Sequence, residues 1–275
     1  MVVRGVRYVG SSVTAGVLLL AEAPCHRGWF RARLRGYVHR YLLNGRHQMR
    51  VAEYAAHART HLEALGYVTQ RSMEEIQRGY EAWRSLAEAE SGLREASVPR
   101  GPIPIQWDAS PELASSIYIL CMLNRPATVI ETGVARGRTS AAILSALQWF
   151  GGGRLYSVEL PSLIPGYTQH VGELVGDDLR RSWSLRFGPS SHVLPELLDG
   201  LGSIDMFIHD SAHSYHPQKM EYELALAHLS PGGILMSDDV NNDAFIEVAE
   251  SRPCRWAIIR QSKGRPIGIL RTSTH

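Results

Sequence analysis

Short apolar runs closed by polar or glycine-rich breaks recur through the second half of the chain, near 127–132, 154–159, 183–187, 204–209, 232–237, 255–260 and 266–271. Their length suits strands. Between the fourth and fifth runs, Pro217 to Leu229 carries apolar or aromatic residues at Met220, Tyr222, Leu224, Leu226, Ala227 and Leu229, flanked by Lys219, Glu221 and Glu223. This pattern predicts a crossover helix joining two parallel strands. Repeated alternation of strand and helix predicts an α/β protein with a doubly wound, mostly parallel seven-stranded sheet. Only Gln261 to Arg265 separates the last two runs, so these should form an antiparallel hairpin at the sheet edge.

The pattern upstream is helical. Val51, Tyr54, Ala55, Ala58, Leu62 and Leu65 recur at helical spacing and end at Gly66, and Met73, Ile76, Tyr80, Trp83, Leu86 and Ala87 repeat it until Gly92. This amphipathic pair is expected to cover the active-site edge or to pair subunits as a homo-oligomer, a dimer. Val98 to Pro104 is a proline-rich joint, too stiff for helix. It divides the chain into an N-terminal arm and helical accessory segment, 1–104, and a catalytic domain, 105–275. Asp108 is then expected to cap a helix with Pro111 in its first turn, running to Leu123. Arg4 and Arg7 followed by Val13 to Ala21 imitate a weak signal peptide, but glycines and hydroxyl residues interrupt that run and it is too short to span a bilayer. Residues 1–20 are read as an arm or strand.

Chemistry enters at the first run. Thr128-Val-Ile meets Glu131-Thr-Gly133-Val-Ala135-Arg-Gly137-Arg-Thr139-Ser140, then a helical stretch, then Leu155 to Glu159. A strand that breaks at glycines, feeds a helix and precedes a second strand ending in an acid is half of a nucleotide-binding unit, with the acid placed for ribose hydroxyls. A dinucleotide turn would read G-x-G-x-x-G. Here Glu131 precedes the turn, and an acid so placed repels phosphate but favours a cationic sulfonium and ammonium group. The sign of that charge selects S-adenosylmethionine over NAD. The segment resembles the first motif of class I S-adenosylmethionine-dependent methyltransferases, E/D-x-G-x-G-x-G, with Ala135 in place of the middle glycine. That methyl narrows the room for the cofactor. The resemblance implies a Rossmann-like domain in which Glu131, Gly133, Ala135, Gly137, Thr139, Ser140 and Glu159 bind the cofactor. Gly188 to Pro195 is similar to the loop that holds the adenine edge; Pro189 stands where relatives often carry an acid, and Ser190 is the substitute.

Asp205 to Asp210 and Gly232 to Asp239 both end in acids, which the parallel arrangement brings to one edge of the sheet. Adjacent strands lie about 4.8 Å apart, so Asp210 can meet the Asp238-Asp239 pair. Carboxylates brought together repel unless a cation intervenes, and a hard divalent ion, Mg²⁺, is the economical partner. The same residues resemble the metal-dependent O-methyltransferases of the catechol and macrolide-sugar type. That resemblance implies Asp210, Asp238 and Asp239 as metal ligands, Asp210 also beside the cofactor, and His213, three positions on, as the base that takes a proton from a substrate hydroxyl. The acceptor is then a small molecule: a sugar, a phenol or another natural-product intermediate. Asn241 and Asn242 either orient it or cap the helix that follows. Two rival readings stand beside this one. His209, His213 and His216 with Asp210 offer iron ligands, as in the cephalosporin hydroxylases that share this sheet, and a non-catalytic cofactor-binding subunit would keep the acids without needing the histidine.

Composition narrows the field. The 275 residues are 44% hydrophobic and 20% charged, ordinary for a chain with a full core. A net charge of +2 leaves no basic footprint for nucleic acid. No membrane partner is expected either. Cys25, Cys121 and Cys254 are odd in number and widely spaced, which argues against a disulfide framework and for a cytoplasmic, reducing setting.

Overall fold

The computed structural model describes residues 27–38, 47–90, 93, 99–263 and 265–274. The expected arm over 1–20, Cys25 and the helix end at Gly92 lie outside them. Seven strands form one sheet: β1 (Thr128–Thr132), β2 (Arg154–Glu159), β3 (Trp183–Phe187), β4 (Ile204–His209), β5 (Leu229–Ser237), β6 (Cys254–Ile259) and β7 (Ile267–Thr272). Their order is β3-β2-β1-β4-β5-β7-β6. The first five strands run parallel, and β7 is antiparallel to both β5 and β6. The short link before β7 forces that reversal, as the sequence predicts.

Helices follow the strands. Described in chain order they are α1 (Arg27–Val38), α2 (Val51–Ala56), α3 (His61–Thr69), α4 (Met73–Ala89), α5 (Pro111–Asn124), α6 (Arg138–Phe150), the short α7 (Tyr167–His170), α8 (Ser190–Leu201), α9 (Tyr215–His228) and α10 (Ala244–Glu250). The period-two alternation of each strand sorts side chains onto two faces. Val129, Met206, Ile208 and Met236 enter one core with residues of α3 to α6. Ile130, Phe207 and Leu235 enter the other, against α8, α9 and α10. Leu65, Ile76 and Trp83, from the accessory segment, sit in the first core, so α3 and α4 share the interior of the sheet domain.

Three local expectations are corrected. The helical run from Val51 is broken at 57–60, where Arg59 pairs with Ile259 and covers the β6 edge. A new helix starts at the capping box of Thr60 and Glu63 and passes Gly66 to end at Thr69. Asp108 does not cap α5; Ser110 does, its hydroxyl accepting from the Leu113 amide at 3.1 Å, while Asp108 turns to arginines. Glu221 is not on a solvated flank of α9 but fully buried. No helix among the described residues is long and apolar enough to cross a membrane.

Candidate active site

One row of backbone pairing sets the geometry. Val158, Thr132, His209 and Ser237 are consecutive register partners across β2, β1, β4 and β5. The next residue on each strand is Glu159, Gly133, Asp210 and Asp238. The row extends one step further through amides: Gly133 donates to the Val158 carbonyl at 2.9 Å, Asp210 to Thr132 at 2.8 Å and Asp238 to His209 at 2.9 Å. Parallel pairing alone thus places the acids along the carboxyl edge of the sheet, at the switch point where β1 and β4 are neighbours.

Glu131 points the other way from the row's face, toward α6. It is fully buried and accepts from the hydroxyls of Thr139, Ser140 (2.6 Å) and Ser157 (2.7 Å). Burial pushes its pKa up against those three donors. Thr139 and Ser140 are therefore committed to Glu131, and together they brace the helix N-terminus against β1. Glu159 takes the Val134 amide at 2.6 Å and the Ala135 amide at 3.2 Å on one oxygen, and the Tyr167 hydroxyl at 3.1 Å on the other. Burial raises its pKa, with these bonds opposing. Gly133 and Gly137 both adopt the left-handed conformation that favours glycine, and Ala135 between them adopts it too, with φ +48°.

At the other end of the row, Asp210, His213 and Asp238 each place one ligand atom within 4.8 Å of the others. His213 Nε2 stands 3.8 Å from Asp210 Oδ1. Burial, then the carboxylates of Asp238 and Glu131, hold Asp210 well above the usual carboxylate range. Asp238 is pushed up to about 6 by burial and by Asp239, although Gln261 donates to it at 2.8 Å. The structure sets Asp239 apart: with φ +48° its carboxylate leaves the cluster and pairs with Arg265 at 2.7 Å. His213 takes the position next to the two acids that was expected of Asp239. Two carboxylates and an imidazole are a donor set that suits a divalent ion.

Of the three histidines of the rival iron site, His209 lies beside His213, ring centroids 5.6 Å apart, but neither His209 nor His216 joins the ligand atoms grouped at Asp210, His213 and Asp238. His209 is fully buried and directs Nδ1 to Glu221 at 2.7 Å, while His216 is exposed beside His47 and Tyr215. Glu221, missed from sequence, is the hub beneath the site, accepting also from Thr132 (2.6 Å), Ser211 (3.1 Å) and Ser190. Burial opposes its charge, but His209 and these hydroxyls outweigh that and keep its carboxyl below the usual range. Ser190 thus faces Glu221 from the start of α8. Asp243 is the N-cap position of α10, and Asn242 before it accepts from the Ala244 amide at 3.0 Å.

A glycine turn at the first strand, an acid closing the second and an acidic cluster over β4 and β5 on this strand order define a Rossmann-like methyltransferase fold. Residues 130–240 match the family model described as a methyltransferase domain. That match and the strand order together give these residues the fold of a methyltransferase domain. Among solved structures it is similar to the S-adenosylhomocysteine-bound methyltransferase PaMTH1 of Podospora anserina, at 15% identity and TM-score 0.50, covering 72% of this chain and 88% of that one. It is similar also to cofactor-bound Rv0187 from MTB, at 15% identity and TM-score 0.50, covering 70% and 91%. A third, assigned as a caffeoyl-CoA O-methyltransferase from Staphylococcus aureus, is 14% identical with TM-score 0.50, covering 70% and 92%. At these identities the likeness establishes the fold. No curated protein matches the chain.

Proposed function

We propose that the protein transfers the methyl group of S-adenosylmethionine to a hydroxyl of a small molecule, with a divalent ion, Mg²⁺, at the acidic cluster. The observation that carries this reading is the register row itself, which sets Glu159 at one end for ribose hydroxyls and Asp210 with Asp238 at the other. Asp210 and Asp238 would hold the ion, since Mg²⁺ commonly takes one or two carboxylates and leaves its other positions to water and substrate. Bound there, the ion would favour the ionised form of the acceptor oxygen. His213 accepts the hydroxyl proton, and Asp210, 3.8 Å from its Nε2, favours the imidazolium that results. Glu159 and the glycine turn hold the donor, and fixing both reactants at attack distance supplies much of the rate.

The iron-dependent reading needs a second histidine among the ligands, but the ligand atoms that meet within 4.8 Å are those of Asp210, His213 and Asp238; His209 stands beside His213, ring centroids 5.6 Å apart, without being one of them. The accessory segment to residue 104, a cytoplasmic setting and a homodimer belong to the same proposal. Calorimetry tests it: the protein binds S-adenosylhomocysteine and, separately, Mg²⁺; Asp238→Ala loses the ion and keeps the nucleoside, while His213→Ala keeps both. Absence of S-adenosylhomocysteine binding overturns the donor, and equal ion affinity in Asp238→Ala overturns the metal site.

A further inference from the structure

Among the described residues Arg136 is the largest fully buried side chain, and it belongs to the glycine turn. It stands between Ala135 and Gly137, two residues whose backbone lies in the left-handed region. For an alanine that conformation is strained, and such strain persists only where the surroundings fix it. The fixing contacts are present. Arg136 Nη1 meets Asp108 at 2.6 Å and its Nε meets Glu173 at 2.7 Å. On the main chain, the Gly172 amide donates to the Ala135 carbonyl and the Leu174 amide to the Arg136 carbonyl, both at 2.9 Å. Glu173 is itself tied to the joint by the Arg100 amide at 3.2 Å. Two segments remote in sequence, 100–108 and 170–174, therefore converge on one guanidinium under the turn.

We propose that Arg136 is a positioning residue for the methyl donor, holding the strained Gly133–Gly137 turn at the height where its backbone meets the amino-acid portion of the cofactor. The inference rests on the donor reading above. A planar fork can serve two carboxylates on different edges at once, which a lysine ammonium on its flexible stem cannot. Removing Arg136 alone would leave Asp108 to Arg138, at 3.5 Å, and Glu173 to His170, at 3.2 Å, and the Arg100 amide, whereas neutralising these acids together with Arg136 commonly retains stability, Asp108→Asn keeping an oxygen for Arg138. The triple variant Arg136→Met, Asp108→Asn, Glu173→Gln therefore separates position from fold.

The test uses calorimetry with S-adenosylhomocysteine and with 5′-methylthioadenosine, which lacks the amino-acid portion. In the triple variant, with thermal melting near wild type, affinity for S-adenosylhomocysteine falls by at least about tenfold, the size seen when support behind a contacting group is removed. Affinity for 5′-methylthioadenosine, held by Glu159, changes far less. Arg136→Lys, which keeps the charge, shows the same shift in ratio and serves if the triple variant does not fold. Unchanged affinity for S-adenosylhomocysteine, or equal loss for both ligands, overturns the inference and leaves Arg136 a structural strut. A wild type that binds neither ligand overturns the donor reading instead, and this inference with it.

Discussion

The carbonyl oxygen of Asp210 lies 2.0 Å from where a Cβ on Gly133 would stand, so the turn after β1 and the end of β4 touch backbone to backbone. Gly133 also has φ +84°, which an L side chain adopts only under strain. Backbone cannot give way as a flexible side chain can. Gly133→Ala is expected to cost at least about 2 kcal/mol of stability, from overpacking and φ strain together. It should also abolish S-adenosylhomocysteine binding. Gly176→Ala, where an added Cβ meets nothing within 4 Å, is the control and should melt within a degree or two of wild type.

Glu221 and His209 make a second prediction. Both are fully buried, and four side chains lean on the carboxylate, those of Thr132, Ser211, Ser190 and His209 itself. Truncating one partner strands the rest, so Glu221→Ala should cost about 3–5 kcal/mol. The pH dependence has a definite sign. A carboxyl depressed in the folded state contributes stability above its unfolded pKa, near 4.5, and loses it as pH falls through the folded value. Between pH 6 and pH 3, Glu221→Gln should lose less stability than wild type in chemical denaturation. Parallel losses would show that the carboxylate's charge is not what the hub stabilises.

The contrast between these two sites shows what is legible in sequence. Apolar runs place β1 to β4 within a residue of their observed limits, and the short final link foretells the antiparallel hairpin. Acids at strand ends are legible because parallel topology sends every such residue to one edge. Glu221 escaped because periodicity reports polarity, not partners: in sequence it resembles Glu223, and only the facing His209 on β4 distinguishes them. Asp239 could not be separated from Asp238, because one left-handed residue sends neighbouring carboxylates in different directions. Arg136 carries a weak signal, a long cation between left-handed residues, but its acids come from Asp108 and Glu173, which nothing local connects.

The acidic pair predicts an unusual pH response. Asp210 is raised well above the ordinary range and Asp238 to about 6, so these two groups bind more protons in the folded chain than in the unfolded one above pH 4. The pair's contribution to the stability of the chelator-treated protein, read as the difference between wild type and Asp238→Asn, should then fall as pH rises from about 4 to 6 and beyond. A divalent ion favours the ionised acids and opposes that fall. Mg²⁺ at a hundredfold excess over its Kd should return about 2.7 kcal/mol near pH 7.5 and far less at pH 5. Melting curves with chelator and with Mg²⁺ that coincide at both values would remove the ion from this site.

Glu159 sets function against stability. Its carboxylate is buried and its pKa raised, so at pH 7 its charge is less favourable in the folded chain than in the unfolded one. Gln can keep most of the local bonding, its oxygen accepting from the Val134 and Ala135 amides while its NH₂ donates to the Tyr167 hydroxyl, which turns to accept. Glu159→Gln should therefore melt at or above the wild-type temperature at pH 7, with the difference shrinking toward pH 4. What the substitution removes is a charged acceptor for the ribose hydroxyls, and hydrogen bonds to charged groups contribute about 1.5–3 kcal/mol, or roughly 10- to 100-fold in affinity. Calorimetry with S-adenosylhomocysteine should show that loss in a protein that is no less stable. If Glu159→Gln instead melts lower and binds as tightly as wild type, Glu159 is a brace for the turn and the ribose is held elsewhere.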